Sequence, residues 1–272
     1  MLFSSGGAAI KACSLTAWQV AAFRAGVAAL ALFVLLPESR RRWTWRTLLV
    51  GIAYATTMIL FVAGNKLTTA ANTIFLQSTA PLYLLLIGPW LLHEPIRRPD
   101  ILVMIALACG LALLLAGTQP TVASAPDPAT GNLLALLSGI SFAFGLAGLR
   151  WLARSDAVPP ALVAANVLAF VFCLPMALPV TSSRPVDWLV ILGLGCVQVG
   201  LAYRLLAAGV RHVPALEVSL LLLLEPVLNP IWAWIVHGES PGHLSLAGGA
   251  VVLAATTSRT LLTWLTASPA EG

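Results

Sequence analysis

The sequence predicts an all-α integral membrane protein: ten transmembrane helices in two inverted five-helix repeats. Of the 272 residues, 59% are hydrophobic and only 9% are charged, whereas soluble domains carry about 25% charged residues. The apolar residues also fall into segments of about 20, the length at which a helix crosses a bilayer. Finally, landmarks of the first half recur in the same order and spacing, with Gly64, Lys66, Pro81 and Glu94 returning as Gly209, Arg211, Pro226 and Glu239.

The composition also argues against several other classes of protein. The net charge of +5 comes from basic residues in short loops, and no basic-aromatic patch suggests a nucleic-acid partner. The four cysteines lie in apolar surroundings without a CxxC pair, which is typical of packing residues. The four histidines lie near predicted helix ends without the spacing of metal ligands. We therefore expect neither a metal nor another cofactor.

Nine apolar segments are long enough to cross the bilayer as complete helices. The apolar stretch before them, residues 1–12, would reach about 18 Å as a helix, against a hydrocarbon core of about 30 Å. Five segments follow Asp127, so the first half needs a fifth, and we interpret residues 1–12 as a first helix that lacks its front half. The nine complete segments are predicted at 15–37, 46–65, 70–93, 100–118, 131–153, 160–180, 187–208, 214–237 and 244–265.

The longest loop, residues 119–130, is rich in Pro, Ala, Ser and Thr and is interpreted as a solvated linker between the halves. We expect the first repeat to span residues 1–118 and the second to span residues 131–265. Residues 266–272 are then a short cytoplasmic tail.

The distribution of Lys and Arg predicts a multi-pass protein of the cell membrane with both termini in the cytoplasm. Only Lys11, Lys66 and Arg184 lie in the loops of the predicted outer side. Because each repeat has an odd number of helices, the second starts on the opposite side, so an axis in the membrane plane relates the repeats. The loops of the predicted inner side contain Arg40, Arg41, Arg42, Arg46, Arg97, Arg98, Arg150, Arg154, Arg204 and Arg211.

Several segments resemble those of the drug/metabolite transporter superfamily, in particular its EamA-type permeases. The fourth helix of each repeat there has an apolar run with Pro that ends in Glu, as in Ser78 to Glu94 and Leu223 to Glu239. The second helix often has Arg before small apolar residues, as in AAFRAGVAALAL around Arg24, and the first often ends in Lys, matching Lys11. The incomplete first helix is a departure, because in the family that helix contributes to the central cavity.

The resemblance implies a secondary active transporter, not an enzyme, that uses alternating access. Its substrate would be a small metabolite or drug-like molecule, such as an amino acid, and export is the expected direction. Protons are a further candidate partner beside the substrate and the lipid bilayer. The alternatives are a passive channel or facilitator and a non-transporting membrane scaffold.

Glu225 is the first candidate for the transport site, because an ionisable group deep in a bilayer is costly unless it faces a cavity or a partner. It directly precedes Pro226, and Pro226 and Pro230 each remove a backbone donor, which leaves carbonyls free to line a cavity. Asn229 and Trp232 continue the same helix face. Desolvation favours a neutral carboxyl group, so Glu225 could exchange a proton near neutral pH or pair with a substrate ammonium. The alternative is a protonated Glu225 that is hydrogen-bonded between helices.

Other polar residues inside the apolar segments are candidates for the wall of a central cavity. Arg24 could attract a carboxylate, extend to the membrane surface or bind a helix-end carbonyl. Each of the remaining residues could instead form an ordinary interhelical hydrogen bond. Glu94 and Glu239 end their helices and are each expected to have a cationic partner, since a carboxylate is unfavourable there. The remaining wall candidates are Tyr54, Asn72, Thr79, Tyr83, Asn166 and Gln198.

Overall fold

The computed structural model describes residues 2–91, 96, 98–116, 123–153, 157–209 and 224–267. The regular elements in this part of the chain are helices. A 3₁₀ turn at Phe3–Ser5 precedes the first of them, another lies at Pro37–Arg40, and a π-helix at Gly193–Leu201 joins α9 to α10. The α-helices are α1 (Gly6–Ala12), α2 (Ala17–Leu35), α3 (Trp45–Leu67), α4 (Ala70–Gln77), α5 (Ala80–Leu91), α6 (Arg98–Ala116), α7 (Pro128–Leu152), α8 (Val158–Ala177), α9 (Pro185–Leu192), α10 (Ala202–Gly209), α11 (Leu224–His237) and α12 (His243–Ala267).

Seven stretches of the described residues are long and apolar enough to cross a membrane. A further apolar helix, Asp100–Ala116, is somewhat shorter, and the predicted segment 214–237 lies partly outside the described residues. The chain is therefore a multi-pass helical membrane protein. The seven stretches are Ala17–Leu35, Trp45–Leu67, Ala70–Leu91, Pro128–Leu152, Val158–Ala177, Pro185–Leu205 and His243–Leu262.

Two predicted segments have irregular interiors. The segment predicted at 70–93 is broken at Ser78 and Thr79, which separate α4 from α5. Pro81 is the second residue of α5 and lacks the backbone N–H that would continue the α4 hydrogen-bond ladder, so it accounts for the break. The segment predicted at 187–208 contains the π-helix, a rare form that often occurs at functional sites.

The second half begins with a capped helix three residues before the predicted position 131. Asp127 is the N-cap of α7 and accepts a hydrogen bond from the Thr130 N–H at 3.2 Å. Pro128 is the first helical residue, where its fixed φ favours the helix and its missing N–H costs nothing. The turn from the linker into α7 is thus encoded by two adjacent residues.

Helices of the first half pack mainly on helices of the second. The principal pairs are α2 with α8, α3 with α7 and α8, and α6 with α12. Glycine allows the closest of these approaches, since a Cβ at Gly248 on α12 would lie 2.7 Å from the Gly110 carbonyl oxygen on α6. A Cβ at Gly195 would similarly contact Val27 on α2, whereas a Cβ at Gly193 would meet no other described residue within 4 Å.

One end of the bundle collects the three basic residues of the predicted outer side, and we call it the Lys11 end. Lys66 Nζ donates to the Cys13 carbonyl, Arg184 Nη2 donates to the Ala12 carbonyl at 2.9 Å, and Lys11 Nζ donates to the Thr68 carbonyl at 2.8 Å. The opposite end, which we call the Arg42 end, carries the exposed arginines of residues 40–46. The two ends thus separate the basic residues as the charge distribution predicts.

Candidate functional site

A polar cluster lies among the apolar helices and joins Arg24 on α2, Tyr54 on α3, Tyr203 on α10 and Glu225 on α11. The hydroxyl groups of Tyr54 and Tyr203 lie close enough to interact with each other. Glu225 is close enough to interact electrostatically with both tyrosines, and Arg24 is close enough to interact with Tyr203. The cluster therefore combines a cation, a carboxyl group and two hydroxyls at one place.

The cluster lies well below the Lys11 end. Arg24 is 5% exposed and Tyr54 is 8% exposed, so the Arg24 side chain does not extend to the protein surface. Tyr54 and Glu225 each lie roughly 13 residues from the Lys11 end of their helices, or about 20 Å at 1.5 Å per residue. That depth is inside a hydrocarbon core of about 30 Å, where an ionisable side chain marks a functional site by default.

Three further predicted site residues line one N-terminal stretch of the chain, residues 3–8. They are Gln198, Asn229 and Trp232. Gln198 Nε2 donates to the Phe3 carbonyl at 3.1 Å, and Trp232 Nε1 donates to Ser4 Oγ at 3.0 Å. The Phe3 ring lies edge-on to the ring of Tyr203, with centroids 5.2 Å apart. Phe3 thus connects Gln198 to the polar cluster.

Two adjacent glycines let this stretch approach the polar side chains. A Cβ at Gly6 would lie 2.3 Å from Gln198 Nε2, and a Cβ at Gly7 would lie 2.3 Å from Asn229 Oδ1. Real Cβ atoms do not come this close to a polar atom, so any larger residue would push the amides aside. The glycine pair is therefore part of the site geometry.

Several buried polar atoms at the site lack a hydrogen-bond partner among the described residues. They are Arg24 Nε, Gln198 Oε1 and both side-chain polar atoms of Asn229. Buried polar groups are almost always hydrogen-bonded in native proteins. A set of unpaired donors and acceptors around one region is the arrangement that a polar ligand or ordered water would satisfy.

The other predicted site residues form local contacts. Asn72 Nδ2 donates to Asn132 Oδ1 at 3.2 Å near the Lys11 end. Thr79 Oγ1 donates to the Leu76 carbonyl at 2.6 Å beside the break between α4 and α5, and lies 3.5 Å from the Tyr83 hydroxyl.

Asn166, on α8, donates through Nδ2 to the carbonyl of Leu162 at 2.9 Å, and its Oδ1 is buried without a partner in the described structure. None of the hydrogen bonds of Asn72, Thr79, Tyr83 or Asn166 given for the described residues leads to Arg24 or Glu225.

A buried ion pair closes the Lys11 end above this region. Lys11 Nζ lies 3.1 Å from Glu239 Oε1, and the two side chains are 5% and 3% exposed. Glu239 Oε2 also accepts from the Ala70 N–H at 2.8 Å. The prediction that Glu239 has a cationic partner is thus confirmed, while the corresponding prediction for Glu94 concerns a residue outside the described part of the chain.

Sequence reasoning missed Phe3, Gly6, Gly7 and Tyr203. Tyr203 lies near the predicted end of an apolar segment, where a tyrosine is ordinarily interfacial, and nothing in the local sequence indicates its contact with Tyr54. Adjacent glycines in a helix do signal a close approach, so Gly6 and Gly7 could have been found from the sequence.

Metal binding has no support in the described residues, which contain no group of three or more His, Cys, Asp or Glu able to hold an ion. The chemistry available is hydrogen bonding, charge pairing and proton exchange. These are the interactions by which a small polar solute is bound inside a bundle of helices.

Comparison with known proteins agrees with this description. The sequence pattern of the EamA-like transporter family matches residues 1–116 and 129–258. A protein of Methanothermobacter thermautotrophicus (strain Delta H), named "Uncharacterized transporter", is 24% identical over 198 residues, which are 72% of this chain and 58% of the relative. The chain thus spans little more than half the length of that relative.

A second "Uncharacterized transporter", from Archaeoglobus fulgidus, is 27% identical over 199 residues, 73% of this chain and 70% of its own. One solved crystal structure, of a chain 19% identical in sequence, superposes with a TM-score of 0.63 over 96% of this chain and 93% of that one. At this identity the likeness shows a common fold.

Proposed function

The chain belongs to the EamA-like transporter family, and from that premise we propose that it is a secondary active transporter of the cell membrane. The family and the names of the relatives indicate membrane transport and not enzyme catalysis. In this proposal the substrate is a small metabolite or drug-like molecule, such as an amino acid, that is exported by alternating access. The termini lie in the cytoplasm, and ten helices form two inverted repeats.

The observation that carries the proposal is the cluster of buried Arg24 and Tyr54 with half-buried Tyr203 and Glu225. Each ionisable group at such a depth costs several kcal/mol unless it is paired or faces a cavity. The unpaired atoms of Arg24 and Asn229 add to that cost in the absence of a ligand. A solute with its own donors and acceptors would offset it, which favours a substrate site over a purely structural cluster.

The packing of the two halves supports the inverted arrangement. If the halves are exchanged, the pairs α2 with α8 and α6 with α12 map onto themselves. The contact of α3 with α8 corresponds to a contact of the π-helix with α2, which is also present. The contacts of α4 and α5 with α7 correspond to the observed contact of α11 with α1. Repeats related in this way can exchange conformations to open either side.

In this proposal the Lys11–Glu239 ion pair keeps the Lys11 end of the bundle closed. It ties α1 to the turn after α11, while Lys11 also donates to the Ser124 carbonyl and Glu239 accepts from the start of α4. Breaking one ion pair and a few hydrogen bonds would release all these segments from one another. That is a suitable change for opening the Lys11 end during transport.

Glu225 is the coupling residue in this proposal. It is half-buried on α11 and lies near Tyr54 and Tyr203, which could pass or accept its proton through their hydroxyls. In this proposal the Glu225 carboxyl group takes up and releases the coupled proton. Protonation and substrate binding would then alternate at the same place.

The test is transport by the purified chain in proteoliposomes, after a thermal-shift screen of amino acids and related metabolites has identified a stabilising ligand. We expect that ligand to accumulate against its gradient when a pH gradient is imposed. Glu225→Gln should abolish the dependence on the pH gradient, whereas Glu38→Gln, at an exposed position, should leave it intact. Equal transport by Glu225→Gln and the unmodified chain from pH 5 to 8 would contradict the proposal of proton coupling.

The same experiment distinguishes active transport from the two alternatives, a passive facilitator and a non-transporting scaffold. A passive facilitator would equilibrate the ligand across the vesicle membrane without accumulating it, whatever the pH gradient. A non-transporting scaffold would neither bind nor move any ligand of the screen. Either result would overturn the proposed function as a whole.

A further inference from the structure

A cavity at the Arg42 end of the bundle lies outside the site described above. It has a volume of about 440 Å³ and is formed where the start of α3 meets the end of α7 and the start of α8. Its wall combines three guanidinium side chains with an indole and a hydroxyl. The lining residues are Arg41, Arg42, Thr44, Trp45, Arg46, Leu152, Ala157 and Pro160.

Arg46 is held in place by aromatic rings on two sides. Its guanidinium carbon lies 5.5 Å from the centroid of Trp45 and 4.8 Å from the centroid of Trp151. The two indoles contact each other with ring centroids 5.6 Å apart and ring planes inclined at 65°. A guanidinium fixed by two rings retains its planar N–H donors for a ligand and loses little entropy when it binds one.

The charge of the cavity favours an anion. The lining residues in the described part of the chain include no acidic side chain. Arg42 and Arg46 are both exposed, so a ligand can reach them without rearrangement of the helices. Paired guanidinium groups match the oxygen atoms of a phosphate through parallel N–H···O bonds.

The aromatic residues around the cavity place it at the depth of lipid headgroups. Trp45 is 62% exposed and Trp151 is 44% exposed, and both lie at the ends of helices long enough to cross a membrane. Exposed indoles at helix ends are typical of the membrane–water interface. The helix surface beside the cavity continues as the apolar, exposed Leu48, Leu49 and Ile52 of α3, against which acyl chains can lie.

We propose that this cavity binds the phosphate headgroup of an anionic phospholipid, of the phosphatidylglycerol or cardiolipin class. The phosphate oxygens accept from Arg42 and Arg46, and the acyl chains extend along α3. Basic pockets at the cytoplasmic face of membrane proteins recognise such headgroups through this combination of charge and interfacial position. The site is independent of the transport cluster, so it holds whether or not the chain is a secondary transporter.

The test measures phospholipid binding by the full chain in a zwitterionic detergent, with native mass spectrometry as the readout. Phosphatidylglycerol is titrated against phosphatidylcholine, which has the same phosphate but no net charge. We expect selective retention of phosphatidylglycerol, and a loss of affinity of about fivefold in Arg42→Gln and in Arg46→Gln. Arg46→Lys should also weaken binding, because it keeps the charge but loses the stacked, planar donor group.

Arg40→Gln is the matched control, because it removes the same charge from the same loop. Arg40 lies outside the cavity, where it donates to the Phe33 carbonyl at 3.1 Å and stacks on the Phe33 ring. Its variant should therefore retain phosphatidylglycerol as the unmodified chain does. Thermal unfolding of each variant in lipid-free detergent verifies that the variants are folded.

Three results would overturn the proposal. An equal loss in Arg40→Gln and Arg46→Gln would mean a diffuse surface charge and no defined site. Equal retention of phosphatidylcholine and phosphatidylglycerol would remove the role of net charge. Displacement of bound phosphatidylglycerol by millimolar inorganic phosphate would identify the ligand as a free anion and not a lipid headgroup.

Discussion

Lys11 and Glu239, which are far apart in the sequence, form a buried ion pair with Nζ 3.1 Å from Oε1. Lys11 ends the short helix α1, and Glu239 lies just beyond the end of α11. Additional hydrogen bonds connect the pair to Thr68 and Ala70 in the turn between α3 and α4. A single charge pair therefore holds together three separate turns at one end of the bundle.

Removal of one member of this pair should be strongly destabilising. Lys11→Met leaves the Glu239 carboxylate buried without its counter-charge, and such changes cost about 3–5 kcal/mol. The double variant Lys11→Met with Glu239→Gln should recover much of that loss, since the glutamine can still accept from Ala70 N–H without carrying a charge. Thermal unfolding in detergent measures both effects.

A partly exposed ion pair among the described residues is the control for this prediction. Arg259 Nε lies 3.1 Å from Asp100 Oδ1, with side chains 35% and 15% exposed. Water screens a pair of this kind, so Arg259→Gln should cost about 0–1 kcal/mol. A Lys11→Met variant as stable as Arg259→Gln would contradict the structural importance of the buried pair.

Substitution of Gly7 should perturb the candidate site directly. The Cβ of Gly7→Ala would lie 2.3 Å from Asn229 Oδ1 and 3.1 Å from the Ala70 Cβ, so α1 and α11 must separate or the amide must turn away. We expect a destabilisation of about 1–3 kcal/mol, the usual range for overpacking, together with weaker binding of any ligand found by thermal shift. Asn229→Ala should rescue stability in the double variant because it removes the clashing atom.

Gly88→Ala is the matched glycine control, and we expect it to change stability in the opposite direction. Gly88 lies inside α5, and a Cβ there meets no atom within 4 Å. Alanine in a helix interior is favoured over glycine by about 0.5–1 kcal/mol, so this variant should be slightly more stable. If Gly7→Ala behaved like Gly88→Ala, the close approach of α1 to Asn229 would be wrong.

The sequence could predict the helical membrane architecture, because apolar length and loop charge are one-dimensional properties. The same patterns could place Lys11, Lys66 and Arg184 at a common end, which the bundle confirms. They could not locate the break at Ser78 and Thr79, since proline can bend a helix, end one or be absorbed by neighbouring helices.

The site could be predicted in part. Glu225 and Arg24 are identifiable because charge in an apolar segment is rare. Tyr203 interacts with both, and its role depends on how α10 packs against α2. Asn72 has the composition of a site residue yet bonds Asn132 near the Lys11 end. Residue type reveals which side chains are costly to bury, whereas packing decides which of them meet.

The N-cap of α7 should make a pH-dependent contribution to stability. Side-chain and backbone hydrogen bonds from Thr130 lower the pKa of Asp127 from its usual 3.8. A carboxyl group whose pKa is lowered by folding stabilises the protein above its unfolded pKa, and that contribution is lost as the pH falls through the folded value. Asp127→Ala should therefore lower the melting temperature slightly at pH 7, and this difference from the unmodified chain should become smaller as the pH falls through the folded pKa.

Asparagine at the same position separates the cap from the charge. Asp127→Asn retains an oxygen that can accept from the Thr130 N–H, and asparagine caps helices about as well as aspartate. Its melting temperature relative to the unmodified chain should change less than that of Asp127→Ala at pH 7. A difference between Asp127→Ala and the unmodified chain that was as large at pH 3 as at pH 7 would show that ionisation of the cap makes no contribution.

The interaction between the Tyr54 and Tyr203 side chains should appear as non-additivity in transport. Tyr54→Phe and Tyr203→Phe each remove one hydroxyl and leave the other without its partner, so each should lower the initial transport rate by about tenfold. The double variant should be hardly worse than either single variant, because the shared interaction is already lost. Tyr83→Phe removes the third tyrosine hydroxyl of the chain, which lies near Thr79, and should leave the rate nearly unchanged. A double variant about a hundredfold slower would mean that the two hydroxyls act independently, and the cluster would then no longer be a single site.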